Sequence, residues 1–181
     1  SSTATITSNT GSVAITSTDG TLSVERNVTA PSSILFTADT LNLVGNLNTT
    51  SSSGVVTIAP QNSGRVIDLG SEVLSRLSLT SAEVNRVSAG TLRIGALGGS
   101  NTGDINITAA LAPTGTPTLA LRTGGSGSVS STGVRSITET NLAVQAGGTI
   151  SLAANNAISG NLALNSPAST LTFNQTSGSF T

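Results

Sequence analysis

Two aspartates, Asp19 and Asp39, have the spacing that could best support catalysis. They lie 20 residues apart, and each sits in a turn before a strand-like segment that contains leucine. If the chain winds with a period of that length, the carboxylates stack about 5 Å apart, which suits the paired acids of a retaining glycosidase. Aspartate is also a favoured turn residue, and Asp19 is followed by glycine, a common turn pair. We favour the turn role and expect no catalytic residues.

The residue types that are missing exclude most other chemistry. The chain has no histidine and no cysteine, which removes thiolate nucleophiles and almost all transition-metal sites, so we expect no metal and no cofactor. Its seven basic residues are all arginine, its net charge is −1 and its aromatic content is 2%. Nucleic-acid binding needs basic patches and stacking aromatics, so it is not expected. No apolar run approaches the roughly 18 residues of a membrane span, so we expect no membrane insertion.

Apolar residues alternate with polar ones along almost the whole chain, as in the pair Ile34 and Phe36. Strict alternation is typical of strands with one buried and one solvated face. Strands that open at Val13, Ile34 and Val55 are 21 residues apart, and a period near 20 residues indicates a solenoid. We predict an all-β right-handed parallel β-helix; the alternative is a β-sandwich.

The same strand pattern runs from end to end, so residues 1–181 are predicted to form a single β-helical segment. Some eight coils spaced about 4.8 Å apart would make a rod on the order of 40 Å long. Segment 122–133 is rich in glycine and serine and is predicted to be an outward loop. Neither terminus shows a polar capping repeat, so we expect a piece excised from a longer solenoid. Its open ends, Ser1–Ser8 and Leu171–Thr181, are expected to associate end to end.

Segment 77–95 interrupts the strand pattern with one short helix predicted near 80–88. A capping box between Thr80 and Glu83, in which each side chain satisfies the other's free backbone N–H, marks its start. Because a helix rises only about 1.5 Å per residue, it cannot follow the path of a strand. We therefore expect it to lie outside the wall, with its valines facing inward and Glu83 facing solvent. The other signals are a hydrophobic staple of Leu79 with Val84, and Gly90 as a left-handed stop.

Three sequence segments lie close together in this region: VIDLGSE (66–72), LSLTSAEVNRVSAGTLRIG (77–95) and GDINITAALAP (103–113). With them, residues 64–113 resemble the central repeat regions of bacterial filamentous-haemagglutinin-like large exoproteins. In that family such segments lie inside very long right-handed β-helices. The parent proteins are exported by two-partner secretion and act as adhesins or as stalks that carry distal domains.

The resemblance implies a structural shaft segment of a secreted adhesin or filament on the bacterial cell surface, which extends a distal binding region for cell attachment. The expected partners are neighbouring coils of the same long chain or a second copy, and a host-cell or glycan ligand of unknown identity. The alternative function is a polysaccharide-binding or polysaccharide-active β-helix protein. Some adhesins of this type are glycosylated at N-x-S/T sequons, although such sequons also arise by chance in a chain rich in Asn and Thr. The sequons here begin at Asn27, Asn48, Asn106 and Asn174.

Overall fold

The computed structural model describes residues 5–95, 103–131, 133–167, 170–177 and 179. These residues form a parallel β-solenoid of about eight turns, here called coils, which confirms the predicted β-helix over the β-sandwich. In chain order the elements are β1 (Ile6–Thr7), β2 (Ser12–Thr16), β3 (Thr21–Val24), β4 (Val28–Ala30), β5 (Ser33–Thr37), β6 (Thr40–Leu43), β7 (Leu47–Thr49), β8 (Val55–Ala59), β9 (Ile67–Gly70), β10 (Leu77–Thr80), α1 (Ser81–Val84), β11 (Val87–Ser88), β12 (Thr91–Gly95), β13 (Ile105–Ile107), β14 (Thr118–Arg122), β15 (Val129–Ser131), β16 (Thr138–Glu139), β17 (Asn141–Gln145), β18 (Ile150–Ile158), β19 (Leu162–Asn165) and β20 (Leu171–Ser177).

The strands build three walls of the solenoid. The first wall is the sheet β1-β4-β7-β11, and the second is the seven-stranded sheet β2-β5-β8-β12-β14-β17-β19, called the β2–β19 sheet. The third wall begins as the pair β3-β6, which contacts β10, and continues in the order β10-β9-β13-β15-β18. Strands β16 and β20 both pair with β18. Because the pairing is parallel, equivalent residues of successive coils lie above one another.

Aliphatic side chains stacked coil upon coil fill the inside of the solenoid. The inward column of the β2–β19 sheet has one member on each of its seven strands. The five inner members are buried, and the two on the terminal strands are partly buried against the same core. Each fully buried side chain of this size contributes about 1.5–3 kcal/mol through the hydrophobic effect. Coil by coil, the inward column of the β2–β19 sheet is Val13, Ile34, Val56, Leu92, Leu119, Leu142 and Leu162.

The coils differ in length. Successive members of the inward column are 21, 22, 36, 27, 23 and 20 residues apart. The longest interval contains an insertion made of β10 and α1. In this insertion the chain turns back through residues 71–76 and adds a second strand, β10, to the third wall, parallel to β9. Val55 begins β8 as predicted, but it pairs with Ser33, so Val56 takes the inward position.

Helix α1 is one turn long and not the two turns predicted for 80–88. The capping box is confirmed: Thr80 Oγ1 accepts a hydrogen bond from the Glu83 N–H at 3.2 Å, and Glu83 Oε2 accepts one from the Thr80 N–H at 2.9 Å. The helix ends early because Val87 joins β11 and pairs with β7 in the preceding coil. This strand pairing overrides the local helical signal.

The helix forms a corner of the wall, whereas the sequence predicted a helix outside it. Val84 and Val87 face inward as predicted, but they belong to the core itself, as does the staple residue Leu79. Glu83 was expected to face solvent. Its Oε1 instead accepts a hydrogen bond from the backbone N–H of Leu43 at 3.0 Å, so the carboxylate ties this corner to another coil.

Gly90 does not act as a left-handed helix stop. Its φ lies outside the positive region, and the helix is closed at Asn85, whose N–H donates to the carbonyl oxygen of Ser81 at 3.2 Å. A Cβ at position 90 would overlap the carbonyl oxygen of Ser52. Glycine is therefore required because two backbones approach closely at this point.

Segment 122–133 is not the outward loop that its composition predicted. Strand β15 lies within this segment and pairs with β13 on one side and β18 on the other. Thr123 is buried, and its hydroxyl donates a hydrogen bond to the Gly127 carbonyl oxygen at 2.6 Å. The glycines allow a compact turn between two walls, so most of the described part of this segment belongs to the solenoid.

Some predicted features lie outside the described residues. These are residues 1–4 of the Ser1–Ser8 end, residue 132 of segment 122–133, and residues 178, 180 and 181 of the Leu171–Thr181 end. Residues 96–102, which belong to the region 64–113 that carries the family resemblance, also lie outside them. The structure therefore describes only part of each end segment, and their end-to-end association stays a prediction.

Candidate functional site

A wide corner of the solenoid lies between the third wall and the β2–β19 sheet. Leu111 forms a parallel bridge with Ile137, and Thr118 pairs with Asn141. The chain takes seven positions to pass from Leu111 to Thr118, but only four to pass from Ile137 to Asn141. Six residues therefore lie between these two positions in the earlier coil and three in the next, and the longer six-residue segment is called the 112–117 arch.

Contacts with the coil that precedes it hold the 112–117 arch in place. The Ala89 N–H donates to the Gly115 carbonyl oxygen at 3.0 Å, and the Thr114 N–H donates to Asn85 Oδ1 at 3.1 Å. A Cβ on Gly115 would overlap the Val87 carbonyl oxygen, so only glycine fits there. Two prolines in the arch lack an N–H and keep it from extending a strand ladder.

Glu139 lies in the next coil, at an inward position. Ile137 is buried, Thr138 is exposed and Glu139 is 7% exposed, which is the alternation of a strand. Its register partner in β18 is Ile158, a fully buried core residue. Glu139 Oε1 accepts a hydrogen bond from the Thr140 N–H at 2.9 Å, whereas Oε2 is buried and has no hydrogen-bond partner among the described residues.

A second unpartnered polar atom lies at the same corner. Thr116, on the arch, is 4% exposed, and no described residue forms a hydrogen bond with its buried Oγ1. Thr116 and Glu139 both line a cavity of about 710 Å³ that is closed on one side by the arch and rimmed by exposed residues. Buried polar atoms without partners are rare in folded proteins, because each costs about 1–3 kcal/mol. Two of them at one cavity mark this corner as the candidate site.

Burial also changes the acidity of the Glu139 carboxyl group. Loss of solvation raises its pKa from 4.5 to about 7, and the hydrogen bond from the Thr140 N–H opposes that rise only in part. A substantial share of the carboxyl groups is therefore protonated at neutral pH. Such a group can either donate or accept a hydrogen bond. Glu139 is the only acidic residue among the described residues that line the cavity, so the corner does not offer the two carboxyl groups of a glycosidase.

The predicted pair Asp19 and Asp39 lies on neighbouring coils. Thr21 pairs with Thr40, so Asp39 is level with Gly20 and one position out of step with Asp19. The carboxylate of Asp39 is engaged by the next coil: Oδ1 accepts hydrogen bonds from the N–H groups of Gln61 at 3.0 Å and Asn62 at 2.9 Å. These bonds favour the turn role for Asp39.

The four sequon asparagines lie at different levels of burial. Asn27 and Asn174 are exposed, whereas Asn48 and Asn106 are half-buried within strands. Asn106 Nδ2, the atom that would carry a glycan, donates to Asp68 Oδ1 at 3.1 Å, and Asn174 Nδ2 donates to the Ala153 carbonyl oxygen at 2.8 Å. Glycosylation stays a prediction. Asn27 is exposed, and its Oδ1 accepts a hydrogen bond from the Asn46 N–H at 2.9 Å.

A polar cluster on the outer face of the third wall was not predicted. Asp68 is 1% exposed and forms an ion pair with Arg76 of the inserted segment, with 3.0 Å between Nη1 and Oδ2. The register places Asp68 between Ser78 and Asn106, and Ser78 donates to Glu72 Oε1 at 2.8 Å. The cluster satisfies its own polar groups and fastens the insertion to the wall, so its role is structural.

The sequence contains one signal for the Glu139 corner, which the predicted site residues do not include. The alternation of Ile137 with Glu139 places the carboxyl group inward, where an acid is unexpected. No sequence pattern could have indicated Thr116, because its burial depends on how the arch folds against the next coil. The arch itself depends on a difference in length between two coils, which appears only when their strands are aligned.

The described residues contain no helix that is long and apolar enough to cross a membrane. Nor do they bring together three or more acidic side chains that could hold a metal ion. No protein-family model, no curated protein and no solved structure matches this chain.

Proposed function

We propose that the chain is a structural shaft segment of a secreted adhesin or filament on the bacterial cell surface, which extends a distal binding region. The observation that supports this role is the inward aliphatic column that continues across all seven strands of the β2–β19 sheet. A solenoid whose coils contact only their neighbours can lengthen without changing its cross-section. At roughly 4.8 Å for each coil, this segment adds about 40 Å of reach.

The proposed location rests on the resemblance of residues 64–113 to large exoproteins and on the absence of cysteine. A chain that is exported unfolded through an oxidising compartment cannot be trapped by premature disulfides if it has no thiols. The proposed partners are further coils, either from the same long chain or from a second copy. Strands β2 and β19 are the terminal strands of their sheet, and each has an edge on which another parallel strand can pair.

The shaft role can be tested by joining copies of the chain head to tail. One, two and three copies should give a maximum dimension in small-angle X-ray scattering that rises by about 40 Å for each copy. A matched set of tandem chains with Leu92→Asp in the second copy should lose this regular increase, because a buried charge opens the coil. A dimension that does not grow with copy number would contradict the proposal. Reach can then be measured by displaying the copies on bacteria with a binding domain at the tip.

We also propose that the segment does not catalyse polysaccharide hydrolysis. Two carboxyl groups about 5 Å apart are needed for a retaining mechanism. The Asp39 carboxylate is already engaged by another coil, and Glu139 has no acidic neighbour among the described lining residues. Reducing-end assays on a polysaccharide panel should show no activity. Activity that disappears in Asp39→Asn would overturn this view.

A further inference from the structure

The cavity at the Glu139 corner combines features that the solenoid does not need. An unpartnered carboxyl oxygen and an unpartnered hydroxyl both belong to residues that line it. The rest of the lining consists of small apolar residues, prolines, a glycine and hydroxyl residues, the last being Thr114, Thr138, Thr140, Ser159 and Ser177. A volume of about 710 Å³ falls within the usual range of small-molecule sites, roughly 300–1,000 Å³.

We propose that this cavity binds a neutral saccharide unit, with Glu139 and Thr116 as its two polar anchors. A sugar ring presents several hydroxyl groups, each of which can both donate and accept a hydrogen bond. One hydroxyl would satisfy the carboxyl group of Glu139 and another would satisfy Thr116 Oγ1, so both unpartnered atoms gain partners in the complex. The site goes beyond the shaft role, because a shaft needs no ligand.

The lining selects against charged ligands. No arginine is among the described residues that line the cavity, so an anion would find no positive charge there. A cation would find one carboxyl group, which burial favours in its uncharged form. A neutral ligand rich in hydroxyl groups meets neither obstacle. The described lining also has no aromatic residue to stack on a sugar face, so we expect weak binding, with a Kd on the order of 1 mM.

Access to the anchors requires a small movement. Glu139 Oε2 and Thr116 Oγ1 each expose less than 1 Å² in this structure. The terminal torsion of a glutamate side chain has a broad, roughly two-fold profile, so rotation about it is the movement that would expose the carboxyl group to the cavity. Where this rotation breaks the hydrogen bond from the Thr140 N–H to Glu139 Oε1, a hydroxyl group of the ligand donates to the carboxyl group in its place.

The experiment is a titration of the isotope-labelled chain with maltose, cellobiose and lactose, followed by the NMR shifts of the Thr116 and Thr140 amides. At least one of these neutral sugars should give a saturable shift at concentrations up to about 100 mM. Glu139→Leu keeps an inward side chain of similar size and removes the carboxyl group. It should fold and should weaken binding at least about tenfold. Thr116→Val removes only the second anchor and should weaken binding less.

Glu25→Gln serves as the matched control, because it changes an exposed carboxylate away from the corner and should leave binding unchanged. Three outcomes would overturn the proposal: no saturable shift with any of the neutral sugars, binding that survives Glu139→Leu, or glucosamine binding more tightly than the neutral sugars. The last result would indicate an ammonium site. None of these outcomes bears on the growth of tandem copies by about 40 Å each, so the shaft role is tested separately.

Discussion

Replacing Glu139 by glutamine should change how the stability of the chain depends on pH. The substitution keeps the size and polarity of the side chain and removes its ionisation. In the native chain the carboxyl group is buried, and its pKa is raised from 4.5 to about 7. A raised pKa means that the folded state holds this proton more tightly than the unfolded state does.

The sign and size of the effect follow from that difference. The stabilisation from Glu139 is fully present below pH 4.5, where both states are protonated, and is lost as the pH rises through about 7. Over that interval the free energy of unfolding falls by about 1.4 kcal/mol per pH unit, or about 3 kcal/mol in all. Glu139→Gln has no such loss. It should therefore gain about 3 kcal/mol relative to the native chain between pH 4.5 and pH 8.

Urea unfolding followed by far-ultraviolet circular dichroism measures this difference at about pH 4.5, 6 and 8, which spans the raised pKa. Circular dichroism is the suitable probe because the chain has no tryptophan and no tyrosine. The other carboxylates titrate equally in both proteins, so their contributions cancel in the difference. Glu25→Gln, at an exposed position, keeps Glu139 and should therefore depend on pH in the same way as the native chain. A Glu139→Gln difference that stays constant across this pH range would refute the argument that burial raises this pKa.

Three further substitutions, the first with a matched control, test the fold. Leu92→Asp places a charge in the inward column and should lower the free energy of unfolding, measured by urea denaturation, by roughly 3–5 kcal/mol. Its control, Arg93→Asp on the outer face, should lower that free energy far less. Thr80→Ala removes one half of the capping box and should cost about 1 kcal/mol in the same assay. Gly90→Ala forces a Cβ against the Ser52 carbonyl oxygen. Because overpacking costs about 1–3 kcal/mol, the substitution should lower the midpoint of thermal unfolding by several degrees. An unchanged midpoint would contradict the close approach of the two backbones at Gly90.

The walls of the solenoid could be predicted from sequence because the physics of a wall is local and repetitive. Alternation places Ile34 and Phe36 on the same face of a strand, and parallel stacking repeats that face in every coil. The capping box of Thr80 and Glu83 was predictable for a similar reason, since both partners lie within one turn. Each of these features depends on residues that are close in sequence or repeat at a regular interval.

The corners could not be predicted because they depend on differences between coils. Val87 has the spacing of a helical residue after Val84, yet a strand of the preceding coil is available to pair with it and does so. The glycine and serine residues of 122–133 indicate a loop by composition, yet β15 finds partners on both sides. In both cases a neighbour that is distant in sequence decides the outcome.

The Glu139 corner shows how such differences can give a repetitive fold a specific site. In the column that holds Glu139 the next coil has Ile158, so the fold would accept an aliphatic side chain at this position. The carboxyl group instead costs about 3 kcal/mol near neutral pH relative to its protonated form. Three extra residues in the 112–117 arch create the space beside it. A costly acid that the core does not need, next to a cavity that the wall does not need, is best explained by a ligand that uses both.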